Sequence, residues 1–280
     1  MPTIRLGLIG DNIRTSRSPD LHRIAGAMTG LDVRYDLFIP PAMGMSFPEV
    51  FEACRADGLV GVNVTLPYKE RVVPLVRVDD PAIARIGSVN TVLFTKVGPL
   101  GFNTDFSGFV AAYRNAFGAA RPGRVALIGA GGAGRAIAFG LCALGAEEIA
   151  LIDTDPARAG ALQAALTPPG DTRVRLAGAE ALARADGVVN ATPLGMDGYP
   201  GSPVAEGAFP AGGWAFDAVY TPVTTPFRDQ ALAAGARFLS GWELFFFQGI
   251  AAFERFTGRR PTDLMALREA LGDPSLRLAS

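Results

Sequence analysis

"RVALIGAGGAGRAIAFGLCALGAEEIALIDTD", residues 124–155, is the stretch on which the fold turns. Residues 124–128 read as a short apolar strand, glycines 129, 131 and 134 mark a tight turn, and an Ala-rich helix follows to Leu144. A second strand closes on Asp153, nineteen residues after Gly134. Strand, glycine turn, helix and strand, ended by an acid, is the dinucleotide fingerprint in the setting it requires. Its glycines let the backbone approach a pyrophosphate, whose charge is met by the N-terminus of the helix. The residues expected against a cofactor are therefore Gly129, Ala130, Gly131, Gly132 and Ala133, with Asp153 at the far end of the motif. A carboxylate there accepts the ribose hydroxyls of NAD and repels the 2′-phosphate of NADP, so NAD is the expected cofactor. Arg158, five residues on, stacks on an adenine, reaches a phosphate, or is an exposed helix arginine.

Downstream of the fingerprint, strand-like runs at 173–176, 187–191, 214–219 and 237–239 alternate with helical segments, as in the βαβ units of a parallel sheet. Upstream, "GAARPGR" (118–124) reads as a boundary after a helix over 106–117. Before it, strands at 4–9, 33–38, 59–65, 89–95 and 100–103 alternate with helices that begin near Pro19, Ser46 and Pro81. From Gly241 onward the sequence reads as helices with no strand to add, expected to fold back on the first domain.

With 49% hydrophobic residues, 280 residues can bury the core of one large or two ordinary domains. Lys and Arg, 26 in all, balance 27 Asp and Glu, so no nucleic-acid or polyanion partner is indicated. No run approaches the ~18–20 apolar residues of a membrane span, and "MPTIRLGLIGDN" lacks a signal-peptide layout, so a cytoplasmic protein is expected. Two cysteines, Cys54 and Cys142, make neither a metal cluster nor a disulfide framework, and no metal is expected. Cys142, in an apolar helix, reads as a buried, inert thiol. The one histidine, His22, lies in "SRSPDLHRIAG" (16–26), where Ser18 is the expected N-cap and Pro19 the first helical residue. No acidic or thiol partner is spaced to serve it, so it reads as a structural helix histidine. Proton chemistry here needs another base.

In "GVNVTLPYKE" (61–70), Val62 and Val64 alternate with Asn63 and Thr65, which therefore share a face. Pro67 cannot donate to a sheet ladder, so the strand ends near it and delivers Lys69 just past the edge. Asn, Thr and Lys gathered at one strand end read as a site.

That segment has company. "SRSP" (16–19), "NVTLPYK" (63–69), "GSVNTV" (87–92), "GFNTD" (101–105), "GAGGAGRA" (129–136), "NATPLGM" (190–196), "DAVY" (217–220) and Gln248 occur in the order expected of shikimate dehydrogenases, which the chain resembles over essentially its whole length. The resemblance implies an α/β protein: an N-terminal substrate domain over 1–105, completed by C-terminal helices of 241–280, a Rossmann domain with a doubly wound parallel sheet over 106–240, and a cleft between them. It implies Lys69 and Asp105 as the catalytic pair, and substrate contacts from Ser16, Ser18, Thr65, Asn90, Tyr220 and Gln248. Thr192, Ala218 and Gly241 join the cofactor set on the same ground. After the second Rossmann strand, NADP-using biosynthetic members usually carry Asn-Arg-Thr-like residues; this chain has "DTDPAR" (153–158), which looks like the NAD-using quinate/shikimate dehydrogenase branch. Arg23 in place of a commonly seen Asn, and Glu243 with three phenylalanines in "GWELFFFQ" (241–248), leave substrate preference open.

Oxidising a secondary alcohol sends hydride from carbon to a nicotinamide while the hydroxyl loses a proton to a base within hydrogen-bond reach. With histidine set aside, Lys69 is the candidate base, and Asp105 orients the hydroxyl and stabilises charge on Lys69. The plain alternatives are a solvated lysine and an aspartate that only caps the helix from Phe106. Ser18 as an N-cap would be less available to a carboxylate, and Gln248 in its apolar run needs a polar ligand or a backbone partner. The expected reaction is reversible NAD-dependent oxidation of the C3 hydroxyl of shikimate, quinate or both, to 3-dehydroshikimate or 3-dehydroquinate, by a monomer or homodimer. Three alternatives stay open: an NADP-dependent biosynthetic shikimate dehydrogenase serving aromatic amino acid synthesis, a methylenetetrahydrofolate dehydrogenase, and a non-catalytic dinucleotide-sensing module. The folate pocket would not call for "SRSP" or "GFNTD", and a sensor would not need Lys69 and Asp105.

Overall fold

A computed structural model describes residues 3–166 and 171–273. In chain order its elements are β1 (Ile4–Ile9), α1 (Ser18–Met28), β2 (Val33–Phe38), α2 (Pro40–Met43), α3 (Phe47–Ala56), β3 (Gly61–Val64), α4 (Pro81–Ile86), β4 (Thr91–Thr95) and β5 (Gly98–Phe102). There follow α5 (Thr104–Phe117), β6 (Arg124–Ile128), α6 (Gly132–Ala143), β7 (Glu148–Ile152), α7 (Pro156–Leu166), β8 (Arg173–Leu176), β9 (Gly187–Asn190), β10 (Trp214–Asp217), α8 (Pro226–Ala233), β11 (Arg237–Ser240), α9 (Gly241–Thr257) and α10 (Leu264–Leu271). They form two compact units, one of the described residues up to Thr104 with those from Gln248 onward, the other Asp105–Phe247.

The first unit is built on a five-stranded sheet in the order β2-β1-β3-β4-β5. β1 pairs parallel with β2 and β3, while β3, β4 and β5 are antiparallel. The short link from Thr95 to Gly98 forces the last reversal, since parallel neighbours need a longer crossover. Thr95 Oγ1 closes that link by donating to the Gly98 carbonyl at 2.6 Å. Helix starts follow local chemistry. Ser46 and Glu49 form a capping box on α3, and Asp80 accepts from Ala82 N at 2.8 Å ahead of α4. Ile9, Phe51, Val62, Val64 and Val92 pack one apolar cluster, and Leu6, Leu8, Tyr35, Phe253 and Phe256 another. Each such side chain contributes roughly 1.5–3 kcal/mol of burial. Arg17 ties α1 to α10 through a 2.7 Å bond to the Leu271 carbonyl.

The second unit holds an all-parallel six-stranded sheet, β11-β10-β9-β6-β7-β8, the doubly wound order of a Rossmann fold. Phe109, Leu127, Ile137, Val189 and Phe216 fill its main core. "GAARPGR" is no boundary between units: it is internal to this one, where the Trp214 indole donates to the Pro122 carbonyl at 3.0 Å. The return to the first unit comes at Gln248 and not at 241, because Leu244 and Phe247 pack into the Rossmann core. Asp105 likewise falls in the second unit. Of the expected 241–280 return, residues 274–280 lie outside the described residues. Among the described residues no helix is long and apolar enough to cross a membrane.

Candidate active site

In the second unit the parallel register lines up the carboxyl ends of the strands. Ile128 pairs with Ile152 and Asn190, and Asp217 with Asn190 and Ser240. The residues just past those ends therefore share one edge: the glycine turn after β6, Asp153 after β7, Thr192 after β9, Ala218 after β10 and Gly241 after β11. That edge is where open α/β sheets take ligands. Gly129 has φ +101°, and a Cβ on it would lie 2.8 Å from the Ala191 carbonyl, so the turn tolerates no side chain there. At Gly131, the residue before α6, a Cβ would meet nothing within 4 Å. One glycine closes the turn and the other leaves open backbone at a helix N-terminus, which fits a dinucleotide pyrophosphate.

Asp153 is tied to this turn. Its Oδ2 accepts from Ala130 N at 2.7 Å and its Oδ1 from Asp155 N at 2.8 Å. Arg158 is exposed on α7. The Thr192 hydroxyl and amide both donate to Asn190 Oδ1, at 2.7 and 2.9 Å, and Ala218 N donates to the Asn190 carbonyl. Gly241 is fixed by close approach: a Cβ would stand 2.6 Å from the Asp217 carbonyl. Tyr220 stacks on Phe245 with ring centroids 5.0 Å apart.

Asn190 and Asp217 carry roles that their motifs did not disclose. Asp217 is fully buried, and its carboxylate accepts from Thr225 Oγ1 at 2.6 Å, Asn190 Nδ2 at 2.9 Å and Val219 N at 3.0 Å. Burial pushes its pKa up to about 6, against the pull of those three donors. It joins the loops after β9 and β10 to the start of α8.

In the first unit, the Ser16 hydroxyl donates to Ser18 Oγ at 3.2 Å and accepts from Ser18 N. Arg17, not Ser18, is the residue that precedes α1, and no side chain caps it. Ser18 is the first helical residue, so its hydroxyl is not spent on the cap. Thr65 follows β3, and its amide bonds the Ile9 carbonyl at 2.9 Å. Lys69 is half-buried, with its neighbours pinned: Tyr68 stacks on Phe47 and donates to Asp11 Oδ1 at 2.6 Å, and Val89 N bonds the Lys69 carbonyl at 2.8 Å. Asp105 is 5% exposed and sits inside the first turn of α5, so it is not the cap residue of a helix from Phe106.

Asn63, expected to share a polar face with Thr65, has its amide engaged inside the unit. Asn63 is buried within the unit, bonded to Tyr35, Thr91 and the Asn90 carbonyl. Asn90 donates to Thr104 Oγ1 at 2.9 Å and to Gln248 Oε1 at 3.3 Å. Gln248 Oε1 thus meets the side chains of Asn90 and Thr104 inside the first unit. His22 is buried against Tyr35, Phe253 and Phe256. Cys142 is only partly buried, whereas Cys54 is buried and its thiol is pushed up to about 12. Among the described residues no group of three or more His, Cys, Asp or Glu is placed to hold a metal ion.

A family model for the shikimate dehydrogenase substrate binding domain matches residues 8–92, and a model for NADP oxidoreductase, coenzyme F420-dependent, matches 124–196. A quinate/shikimate dehydrogenase (NAD(+)) of Corynebacterium efficiens is 38% identical, over 92% of this chain and 94% of its own. A shikimate dehydrogenase (NADP(+)) of Streptomyces avermitilis is 37% identical, over 94% of each. The solved quinate dehydrogenase of Corynebacterium glutamicum in complex with NAD superposes with a TM-score of 0.86 at 33% identity, covering 96% of this chain and 98% of that one. The two-unit α/β chain with its glycine turn therefore belongs to the shikimate dehydrogenase family of NAD(P)-dependent oxidoreductases acting on CH–OH groups.

Proposed function

We propose that this chain uses NAD to oxidise, reversibly, the C3 hydroxyl of quinate, shikimate or both, giving 3-dehydroquinate or 3-dehydroshikimate. The observation that carries the cofactor choice is the Asp153 carboxylate, held at the end of β7 by the Ala130 and Asp155 amides. So placed, it accepts ribose hydroxyls and repels a 2′-phosphate. The NAD-named Corynebacterium relatives support the same choice.

The bound nicotinamide supplies the hydride acceptor. The chain supplies the rest. Lys69 takes the hydroxyl proton as general base, and Asp105 orients that hydroxyl and stabilises the lysine once charged. Hydroxyls of Ser16, Ser18, Thr65 and Tyr220, with amides of Asn90 and Gln248, suit a small polyhydroxylated carboxylate. Gly129 to Ala133 take the pyrophosphate, and Thr192, Ala218 and Gly241 line the cofactor edge, with Arg158 beside the adenine end. Mixing the protein with quinate or shikimate and either NAD or NADP, and following absorbance of the reduced cofactor, tests this. Turnover with NAD is expected. No turnover of either polyol at millimolar concentration would overturn the substrate, and a preference for NADP would overturn the role of Asp153.

A further inference from the structure

Asp217 is a buried charge whose partners are all neutral. Its carboxylate meets a peptide N–H from Val219, a hydroxyl from Thr225 and an amide from Asn190. The sense of each bond is fixed. An ionised carboxylate only accepts, so the Thr225 hydroxyl donates to Oδ2. Asn190 Oδ1 accepts the Thr192 amide and its Nδ2 donates to the Leu194 carbonyl at 3.1 Å, so the NH2 side is the one that reaches Asp217 Oδ1. Among the described residues no Lys, Arg or His side chain pairs with Asp217.

Holding the loops does not require this charge. Burying a carboxylate away from any cation is costly. An asparagine can make the same three contacts without that cost: its Oδ1 keeps Asn190 and Val219, and its NH2 turns to Thr225 Oγ1. The clamp on the loops after β9 and β10 therefore accounts for the hydrogen bonds and leaves the charge over. Its place supplies a use. Asp217 ends β10, next to β9 in the order β11-β10-β9-β6-β7-β8. A dinucleotide with its pyrophosphate at the turn after β6 and its adenosine ribose at Asp153 after β7 extends its other half the opposite way, over the ends of β9 and β10. That half carries the nicotinamide, a cation when oxidised and neutral when reduced.

We infer that Asp217 tunes the bound cofactor: its buried carboxylate acts through the low-dielectric loop ends to favour the oxidised, cationic nicotinamide over the reduced one. Its three donors cover it, so it acts by its field and not by contact. The inference rests on a nicotinamide dinucleotide binding at this edge, as proposed above. Dissociation constants for the oxidised and reduced cofactor, NAD or NADP as the chain binds, test it by fluorescence titration at pH 8, well above the Asp217 pKa of about 6. Asp217→Asn is expected to weaken the oxidised form about 3- to 10-fold, the size of a charge–charge effect through a partly buried path, and to leave the reduced form level. Thr225→Val keeps the charge, loses one bond of the clamp and the cap of α8, and should lower the melting temperature while moving both constants alike. Equal shifts of both forms in Asp217→Asn, or no shift, would make the residue a clamp only and overturn the inference. Where Asp217→Asn does not fold, the wild type decides: the oxidised form bound at least as tightly as the reduced supports it, and the reduced form bound more tightly overturns it. A chain that binds neither dinucleotide overturns the cofactor reading itself, and this inference with it.

Discussion

Asp153 Oδ2 accepts the backbone N–H of Ala130 at 2.7 Å, so the acid at the end of β7 and the glycine turn after β6 form one rigid edge. Asp153→Ser removes the ribose acceptor, the repulsion toward a 2′-phosphate and this tie together. The kcat/KM with NAD is expected to fall about 10- to 100-fold, as when a charged hydrogen-bond acceptor is lost. The NADP value falls less or rises. Comparing kcat/KM for both cofactors before and after the change checks it, and an unchanged ratio contradicts it.

Gly131 and Gly134 separate ligand space from packing space. A Cβ at Gly134 would collide with the Gly129 carbonyl, whereas one at Gly131 meets nothing within 4 Å. Gly134→Ala is expected to cost roughly 1–3 kcal/mol of stability by overpacking. Gly131→Ala should leave stability within about 0.5 kcal/mol. Its KM for NAD should rise about tenfold, or ~1.4 kcal/mol of binding. Chemical denaturation and cofactor titration of the pair decide between these roles. Equal loss of stability in both variants would remove the distinction.

Asp217 gives a pH dependence of known sign. Its folded pKa of about 6 lies above the usual 3.8, so between these values the folded protein holds the proton more tightly than the unfolded chain. This group's contribution to stability is therefore greatest below about pH 4, falls as pH rises to about 6, and is level above. The loss is on the order of 3 kcal/mol at ~1.36 kcal/mol per pKa unit. Asp217→Asn should flatten that slope in urea unfolding followed from pH 4 to 8. Wild-type and variant curves that run parallel would refute it.

Much of this was legible because it is local. The strands of both sheets and the fingerprint turn stand in apolar periodicity and glycine spacing, which the chain carries residue by residue. Asn63 shows the limit. Its alternation with Val62 and Val64 placed it beside Thr65 on the polar face, yet its partners are Tyr35 on β2 and Thr91 on β4, and only strand order brings those near. Ser18 and Asp105 were each one or two positions from a cap, and a helix end moves that far when the preceding backbone already supplies its turn. Asp217 and Asn190 were visible as motif letters. Their bond to each other depends on the parallel pairing of β9 and β10, which spacing alone does not register.

Lys69 tests the chemistry itself. The Tyr68 stack on Phe47 and the Val89 bond to its carbonyl fix the backbone from which its side chain extends, so replacement should leave the segment in place. Lys69→Met keeps most of the side-chain volume and removes the proton acceptor. With Lys69 as base, kcat should fall by ~10²- to 10⁴-fold, the usual contribution of a positioned acid–base group. Affinity for NAD, measured by fluorescence titration, should hardly change. Lys69→Ala is the poorer variant, because the space it opens admits a water that can take the proton. Asp105→Asn is expected to show a large but smaller loss, since it orients the hydroxyl and does not accept the proton. A raised polyol KM with kcat intact would instead make Lys69 a binding group, since only uniform binding would then have been removed. Near-normal turnover would make it an ordinary solvated lysine and leave the base elsewhere.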